Sequence, residues 1–245
     1  MKKLCAALML AAVMPGVCPA ETACVYEYQG EVSLLEPGAS GWRVLDGPAP
    51  LKEGSRVMTG AKSSCKLLAG DGTVIELGEN SETAAGTLKL DKQERHYGFD
   101  LVKGRIMLLI PRLKEKLSKL EFRTPQAVCA IRGTGFSVLI SSAASSIGLF
   151  EGALDIQSGG RETALLPGSE ALAAAGGAVE VSGKFSKLMQ AEQRRYLVLK
   201  KYAERLRRKL EAREDFIDGY LGEREKKLRE RERRAKERLN DHGKK

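Results

Sequence analysis

The residue types best suited to catalysis or metal binding are scarce in this 245-residue sequence. It contains five cysteines and two histidines, and only Cys24, Cys65 and Cys129 lie beyond the first twenty residues. A nucleophilic cysteine would need a histidine partner, and only His96 is available. This scarcity argues against histidine-rich metal sites and a histidine-based triad. We therefore predict no catalytic residues, no metal and no cofactor.

Other catalytic patterns are also missing from the sequence. It has no phosphate-binding G-x-x-x-x-G-K-[ST] loop, no H-E-x-x-H zinc motif and no G-x-S-x-G nucleophile motif. A glycosidase needs two carboxylates a few ångströms apart, whereas the acidic residues here are dispersed over predicted turns, as at Asp71, Glu79, Glu82, Asp91 and Glu94. An enzyme acting on cell-wall glycan would need a deep acidic groove that no local pattern indicates. The sequence favours a non-enzymatic protein.

Cys65 and Cys129 allow two interpretations. In an alternating pattern Cys65 shares a face with Leu67, and Cys129 shares a face with Ile131. Free cysteine is among the most frequently buried residue types, so both can be small core residues. The alternative is a Cys65–Cys129 disulfide, which an exported protein could form. Three cysteines leave at least one thiol outside any such pair.

The first twenty residues have the layout of a secretory signal peptide. Lys2 and Lys3 precede an apolar stretch over residues 4–13, and small residues lead to Ala20. A short membrane anchor is the alternative, but the stretch is short for a bilayer span. We predict cleavage after Ala20, a periplasmic protein, and no membrane span thereafter.

Charge divides the remaining chain into two parts. Residues 21–183 carry 17 basic and 20 acidic residues, whereas residues 184–245 carry 22 basic and 12 acidic residues. The overall net charge of +9 therefore comes from the C-terminal part. We predict three segments: a signal peptide over 1–20, a β-domain over 21–183, and a charged helical tail over 184–245.

Short apolar runs separated by turn residues predict that the first part is mainly β. Asp71-Gly72 lies between two such runs and predicts a hairpin, and Ser158-Gly159-Gly160 predicts another turn. Pro111 should end the strand before it. The charged stretch Arg112–Leu120 does not fit the pattern, and we predict a solvent-facing excursion there, either a short helix or a loop.

The tail is predicted to be a long charged α-helix, because residues 184–240 contain no proline and its apolar residues recur at helical spacing. The predicted apolar stripe is Leu188, Tyr196, Leu199, Ala203, Leu206, Leu210, Ile217, Leu221 and Leu228. Gly219 and Gly222 should bend or break the helix near 219–222. So narrow a stripe suits a coiled coil (self-association through 184–228), a helix on an anionic surface, or a helix packed on its own β-domain.

An ordered series of short motifs from residue 30 to about 170 resembles the FecR domain, an extracytoplasmic module named for an iron-dicitrate signalling regulator. The most specific motif is Arg132-Gly133-Thr134-Gly135-Phe136. The others, in order, are Gly30-Glu31-Val32, LKEGSRVMTG from Leu51, DGTVIELGENS from Asp71, Gly104–Met107, Phe122-x-Thr124-Pro125, Phe150-Glu151-Gly152 and Pro167-Gly168. FecR-type regulators carry a cytoplasmic anti-sigma-like segment and a membrane span before this domain. With its predicted signal peptide, the present sequence is more similar to stand-alone exported FecR-domain proteins.

The resemblance implies an antiparallel β-sandwich or a solenoid-like stack of strands. Its motif residues have the character of fold determinants rather than of a catalytic set: Gly54, Thr59, Gly60, Asp71, Gly72, Gly104, Thr124, Pro125, Arg132, Gly133, Thr134, Phe136, Glu151 and Gly152. Along the strand after Gly135, Phe136, Val138 and Ile140 should point inward, and Ser137 and Leu139 to the other face. Arg132 either donates to turn carbonyls or is exposed to bind an anion.

The sequence therefore predicts a binding or sensing module for signal transduction. Its partners would be an envelope protein or an anionic envelope surface, contacted through the β-domain and the basic helix. A scaffold that self-associates through the helix is the alternative. Nucleic acid is not expected as a partner of an exported protein.

Overall fold

The computed structural model describes residues 23–90, 94–111, 117–175 and 177–209. Within those ranges the chain forms sixteen strands followed by one helix, α1, which spans residues 187–209. The strands are β1 Ala23–Gln29, β2 Val32–Leu35, β3 Arg43–Val44, β4 Ala49–Leu51, β5 Arg56–Thr59, β6 Ser64–Ala69, β7 Val74–Leu77, β8 Glu82–Leu90, β9 Glu94–Lys103, β10 Arg105–Leu109, β11 Leu117–Arg123, β12 Val128–Ile140, β13 Ala144–Ser158, β14 Arg161–Leu165, β15 Glu170–Ala174 and β16 Glu180–Ser182.

All the described strands belong to one continuous sheet. Its main path runs β3-β2-β5-β8-β9-β11-β12-β10-β7-β6-β1-β4, and β13 branches from β12 to carry β14, β15 and β16. The sheet curls back on itself: Tyr28 of β1, the strand next to one end of this path, donates its hydroxyl to the carbonyl of Leu45, just after β3 at the other end, at 3.1 Å. The mainly β fold class with a C-terminal helix is confirmed.

The main hydrophobic core fills the inside of the curl. Strand alternation sends one side chain in two inward, and residues from nearly every strand contribute, among them Val25, Leu77, Phe122 and Ile156, none of which has appreciable exposed surface. Phe122 meets Phe136 edge to face, with ring centroids 5.8 Å apart. This arrangement is favourable because the positive edge of one ring meets the negative face of the other.

Both predicted hairpin turns are confirmed. Asp71-Gly72 joins β6 to β7, Gly72 has a φ of 83°, and Asp71 Oδ1 accepts the amide of Thr73 at 2.9 Å. The turn after Ser158 joins β13 to β14.

The prediction of a solvent-facing excursion over Arg112–Leu120 is wrong for its second half. Residues from Leu117 onward form β11, which pairs in parallel with β9, and Leu120 is buried. Among the described ladders this is the single parallel one. Charged residues between the apolar ones hid the strand in the sequence: Leu120 and Phe122 are buried, whereas Arg123 is exposed. Residues 112–116 lie outside the described ranges.

The helix begins with a side-chain cap. Ser186 Oγ accepts the amide of Met189 at 3.2 Å, as an N-cap serine does. The carboxylate of Glu170 on β15 accepts both the amide and the hydroxyl of Ser186, at 2.6 and 3.1 Å, and so ties the helix start to the sheet. Residues 184–186 therefore precede the helix that was predicted to start at Lys184. No helix in the described part combines the length and apolar character needed to cross a membrane.

Several predictions fall outside the described residues. The signal peptide at 1–20 is one, and the tail beyond 209, with its predicted break near 219–222, is another. These stay predictions, as does the division of the chain at residue 183.

Candidate functional site at the helix–sheet interface

The inner face of the curled sheet lines the main core, and part of its outer face is buried as well. Phe136 and Val138 point into the main core as predicted, yet Ser137 between them also has no exposed surface. The reason is α1, which lies across the outer face of β6, β7, β10, β12 and β13 and forms a second apolar cluster there. The cluster consists of Val74, Met107, Tyr196, Leu199 and Ala203, with Leu68, Leu109, Phe150 and Tyr202 at its margin. We call this helix-covered surface the docking face.

The buried stripe of α1 differs from the predicted one at its beginning. Leu188 was predicted to lie in the stripe but is 58% exposed, and Met189 is buried instead. The residues that face the sheet are Met189, Glu192, Tyr196, Leu199, Ala203 and Leu206. Steps of three and four residues keep one helix face in contact over five turns. The helical spacing therefore places Glu192, a charged residue, on the helix face that packs against the sheet.

Two glycines make room for the helix on the sheet. Gly135 on β12 belongs to the FecR-like motif, and the ring of Tyr196 lies where a Cβ at this position would be. Gly148 on the neighbouring β13 accommodates the thioether of Met189 in the same way. A larger residue at either position would overlap its helix partner, so these glycines permit a close approach of strand and helix.

Glu192 is the centre of a buried polar cluster. Arg105 Nη1 on β10 donates to Glu192 Oε2 at 3.1 Å, Ser137 Oγ lies 3.1 Å from the same oxygen, and Arg195 Nη1 donates to Oε1 at 2.6 Å. Glu192 has no exposed surface, whereas the Arg105 side chain is 19% exposed. Buried carboxylates are tolerated only when charged and hydrogen-bonded partners surround them. The cluster therefore fixes the rotation and register of α1 on the sheet.

Glu76 on β7 extends this cluster. Burial raises the pKa of its carboxyl above 4.5, and the negative charge of Glu192 also raises it, while Arg105, Lys66 and Arg195 oppose the shift. Two carboxylates thus share the positive charge of Arg105.

A second anchor joins the middle of α1 to the bulge between β12 and β13. Gly135 pairs with Glu151 across the two strands, with register shifts on both sides of Gly135. The Tyr196 hydroxyl donates to the Glu151 carboxylate, and Lys200 Nζ donates to both Glu151 oxygens at 2.7 and 3.0 Å. Burial, followed by the bond to Glu151, raises the pKa of Tyr196. The ring of Phe150 lies 4.8 Å from that of Tyr196.

Two clefts open along the edges of the docked helix. One, of about 320 Å³, lies beside the bulge, with Thr134, Glu151, Tyr196, Lys200 and Arg207 among its lining residues. The other, of about 360 Å³, lies between β1 and α1, with Glu27 and Tyr202 in its wall. Tyr202 donates to Glu27 at 2.6 Å, and this bond lowers the pKa of Glu27.

The predicted motif residues occupy structural positions. Thr59 Oγ1 donates to the Gly78 carbonyl at 2.5 Å and accepts the Ser81 amide at 3.0 Å. Thr124 Oγ1 accepts the amide of Ala127 at 3.0 Å in the turn before β12, next to Pro125. The Gly60 amide donates to the Glu31 carbonyl at 2.9 Å. Positive φ angles occur at Gly54, Gly72, Gly104, Gly133 and Gly152.

The Arg132–Phe136 motif lies at the bulge. Arg132 pairs with Ala153 through its backbone, and its side chain lies outside what the structure describes. Thr134 and Phe136 are buried. The motif therefore contributes Phe136 to the main core on one face of the sheet and Gly135 to the contact with α1 on the other.

Cys65 and Cys129 are buried thiols that are not bonded to each other. Burial raises the pKa of each to about 12. A thiol this far from ionisation is a poor nucleophile. Among the described residues no group of histidine, cysteine and carboxylate side chains has the arrangement of a metal site.

Sequence reasoning missed Glu192 and Arg105, and it placed Ser137 on the outer face of its strand without finding its partner. The step pattern 189, 192, 196, 199, 203, 206 could have placed Glu192 on the buried face, had the stripe been extended through a charged residue. No comparable signal links Arg105 or Ser137 to Glu192, because Glu192 lies 87 residues after Arg105 and 55 residues after Ser137 in the chain.

The FecR family model, described as FecR protein, matches residues 55–155, which confirms the resemblance drawn from the motifs. Two crystal structures of a provisionally assigned anti-sigma factor from Parabacteroides distasonis are similar at 15% and 16% identity, each with a TM-score of 0.46. Each alignment covers 56% of this chain, and it covers 63% and 62% of those chains, respectively, less than two thirds of their length. No curated protein matches the sequence. The family match supports a role in signal transduction or sensing.

Proposed function

We propose that this FecR-domain protein is an exported, non-enzymatic module that relays a signal by binding partners, with α1 as the element that couples the sheet to the rest of the chain. The observation that carries the proposal is the position of α1. It lies on the motif that identifies the FecR domain, with Tyr196 over Gly135 and Lys200 bonded to Glu151. A ligand that altered this bulge would act directly on the helix.

The chemistry of the interface suits a relay. The apolar part is small, and charged and hydroxyl groups contribute much of the contact through Glu192 and Glu151. Such an interface can exist in docked and released states whose free energies differ by only a few kcal/mol. A partner shifts this equilibrium when its binding free energy for one state exceeds that for the other by a similar amount.

The partner we propose is a protein of the cell envelope, contacted through the β-domain and the chain beyond residue 209. Self-association as a scaffold is the other candidate. In the described part of the chain Leu199 and Leu206 are buried against the sheet. A dimer would therefore have to use other residues.

The test uses the full-length chain in cells and the chain from Glu21 in vitro. Fractionation should place the processed protein in the periplasm, and a pull-down from envelope extract should retrieve a discrete protein with the 21–245 chain and less of it with 21–209. Sedimentation across concentration should report a monomer. An unprocessed cytoplasmic protein, or a retrieval pattern unchanged from that of an unrelated exported protein, contradicts the proposal. Concentration-dependent dimers would favour the scaffold.

A further inference from the structure

The net positive charge of the tail is concentrated in residues 184–209, which end in the docked helix. Residues 184–209 contain ten Lys and Arg residues and two Glu residues, whereas residues 210–245 contain twelve basic and ten acidic residues. One of the two glutamates, Glu192, is buried on the docking face, which leaves Glu204 as the one exposed acid of the described helix. The exposed charged side chains of the described helix are therefore basic, with the exception of Glu204.

The basic side chains form a line. Arg194, Lys201, Arg205 and Arg208 are all exposed, and steps of seven, four and three residues place them within about 60° of one another around the helix. Their line is roughly opposite the stripe that faces the sheet, and it extends for about 21 Å along the axis. We call these four residues the basic ridge.

Two exposed apolar side chains flank the ridge. Leu197 is 54% exposed and Val198 is 67% exposed, and they lie on either side of the line, between the levels of Arg194 and Lys201. A convex ridge of cations bordered by apolar side chains lacks the recessed apolar core of a protein–protein interface, where charged residues are depleted. It matches a flat anionic surface, which meets a row of cations without shape complementarity and accepts shallow apolar groups.

We infer that the outward face of α1 binds an anionic phospholipid surface, with the basic ridge on the headgroups and Leu197 and Val198 at the interfacial level. Because the opposite face of the helix stays on the sheet, the β-domain is held against the membrane without inserting. This inference rests on the proposed function, since it names the membrane surface on which the exported signalling protein is held. Binding is reversible and weakens as salt screens the ridge.

The test is co-sedimentation of the 21–245 chain with vesicles of phosphatidylglycerol and phosphatidylcholine, or of phosphatidylcholine alone, at several salt concentrations. Binding should require phosphatidylglycerol and decline with salt. Lys201→Ala with Arg205→Ala should weaken it by about fivefold for each cation removed. The matched control is Lys89→Ala with Arg161→Ala, which removes two exposed cations from β8 and β14 and should change binding less than twofold.

Equal losses of vesicle binding in the two double variants would show that binding depends on the net charge of the protein and not on the ridge, and would overturn the inference. So would failure of the unmodified chain to bind phosphatidylglycerol vesicles at low salt. Salt-sensitive capture of an acidic protein through Lys201 and Arg205, without vesicle binding, would assign the ridge to a protein partner and contradict the lipid assignment. Periplasmic location and retrieval by the 21–209 and 21–245 chains do not depend on these two residues, so failure here is distinguishable from failure of the proposed function.

Discussion

Glu192 Oε2 on the helix lies 3.1 Å from Arg105 Nη1 on β10, and the glutamate has no exposed surface. A charge is seldom buried unless its partners are held in place. This pair joins two elements that are 87 residues apart in the chain. It is therefore the contact that most specifically determines where the helix lies on the sheet.

Removing the Glu192 carboxylate should release much of that interface. Glu192→Ala leaves Arg105 partly buried without its acceptor, and we expect the free energy of unfolding to fall by about 2–3 kcal/mol, since Arg105 can still reach some water. Urea denaturation of the 21–245 chain measures this. Glu204→Ala, on the exposed side of the same helix, is the control and should change stability by less than about 0.5 kcal/mol. Equal effects of the two substitutions would mean that the buried cluster does not hold the helix.

Gly135→Ala should strain the contact between β12 and α1. The added methyl group would overlap the Tyr196 ring, which Phe150 backs, so we expect a loss of about 1–3 kcal/mol. Adding Tyr196→Ala to this variant should cost less than the two single changes together, because the clash is gone. Gly41→Ala has open space around its Cβ and serves as the control. Strict additivity of Gly135→Ala and Tyr196→Ala would argue against the contact.

The pH dependence of stability should carry a contribution from Glu76. Burial raises the pKa of Glu76 above 4.5, so the folded state binds more protons than the unfolded state between the two values. The contribution is fully present below 4.5 and is lost as pH rises through the raised pKa. Glu76→Gln should therefore flatten the decline in stability toward neutral pH, as measured by thermal denaturation across pH. An unchanged slope in the variant would show that Glu76 is not the group responsible.

Cys65 and Cys129 should not react with a thiol reagent in the folded protein. Both are buried, and the pKa of each is raised to about 12, so thiolate is scarce and access is blocked. In the 21–245 chain carrying Cys24→Ser, labelling with a disulfide reagent should be negligible for the folded protein and should reach two thiols in denaturant. If denaturant without reductant exposes no thiol, the two cysteines form a disulfide.

The sequence was most informative where local chemistry determines the backbone. The Asp71-Gly72 turn, the alternation of Phe136 and Val138, and the FecR-like motifs were all readable, because each depends on neighbouring residues. The strand from Leu117 was not, because charged residues on its solvent side concealed its period and its parallel partner is distant in sequence.

The interface itself could be predicted only in part. Helical spacing identified Tyr196, Leu199, Ala203 and Leu206, but packing on the chain's own sheet was one of three alternatives. Glu192 was overlooked because a charged residue is assigned to solvent by default. Its burial depends on Arg105 and Ser137, which only the fold brings within reach.

Hydrogen exchange of the helix amides in the 21–245 chain measures whether α1 is held on the sheet in solution. If α1 is docked, the amides of Leu199 and Ala203 should be protected nearly as strongly as that of Val138 on β12, and Glu192→Ala should reduce their protection selectively. Exchange of Leu199 and Ala203 as fast as in an isolated helical peptide, with Val138 still protected, would contradict the account.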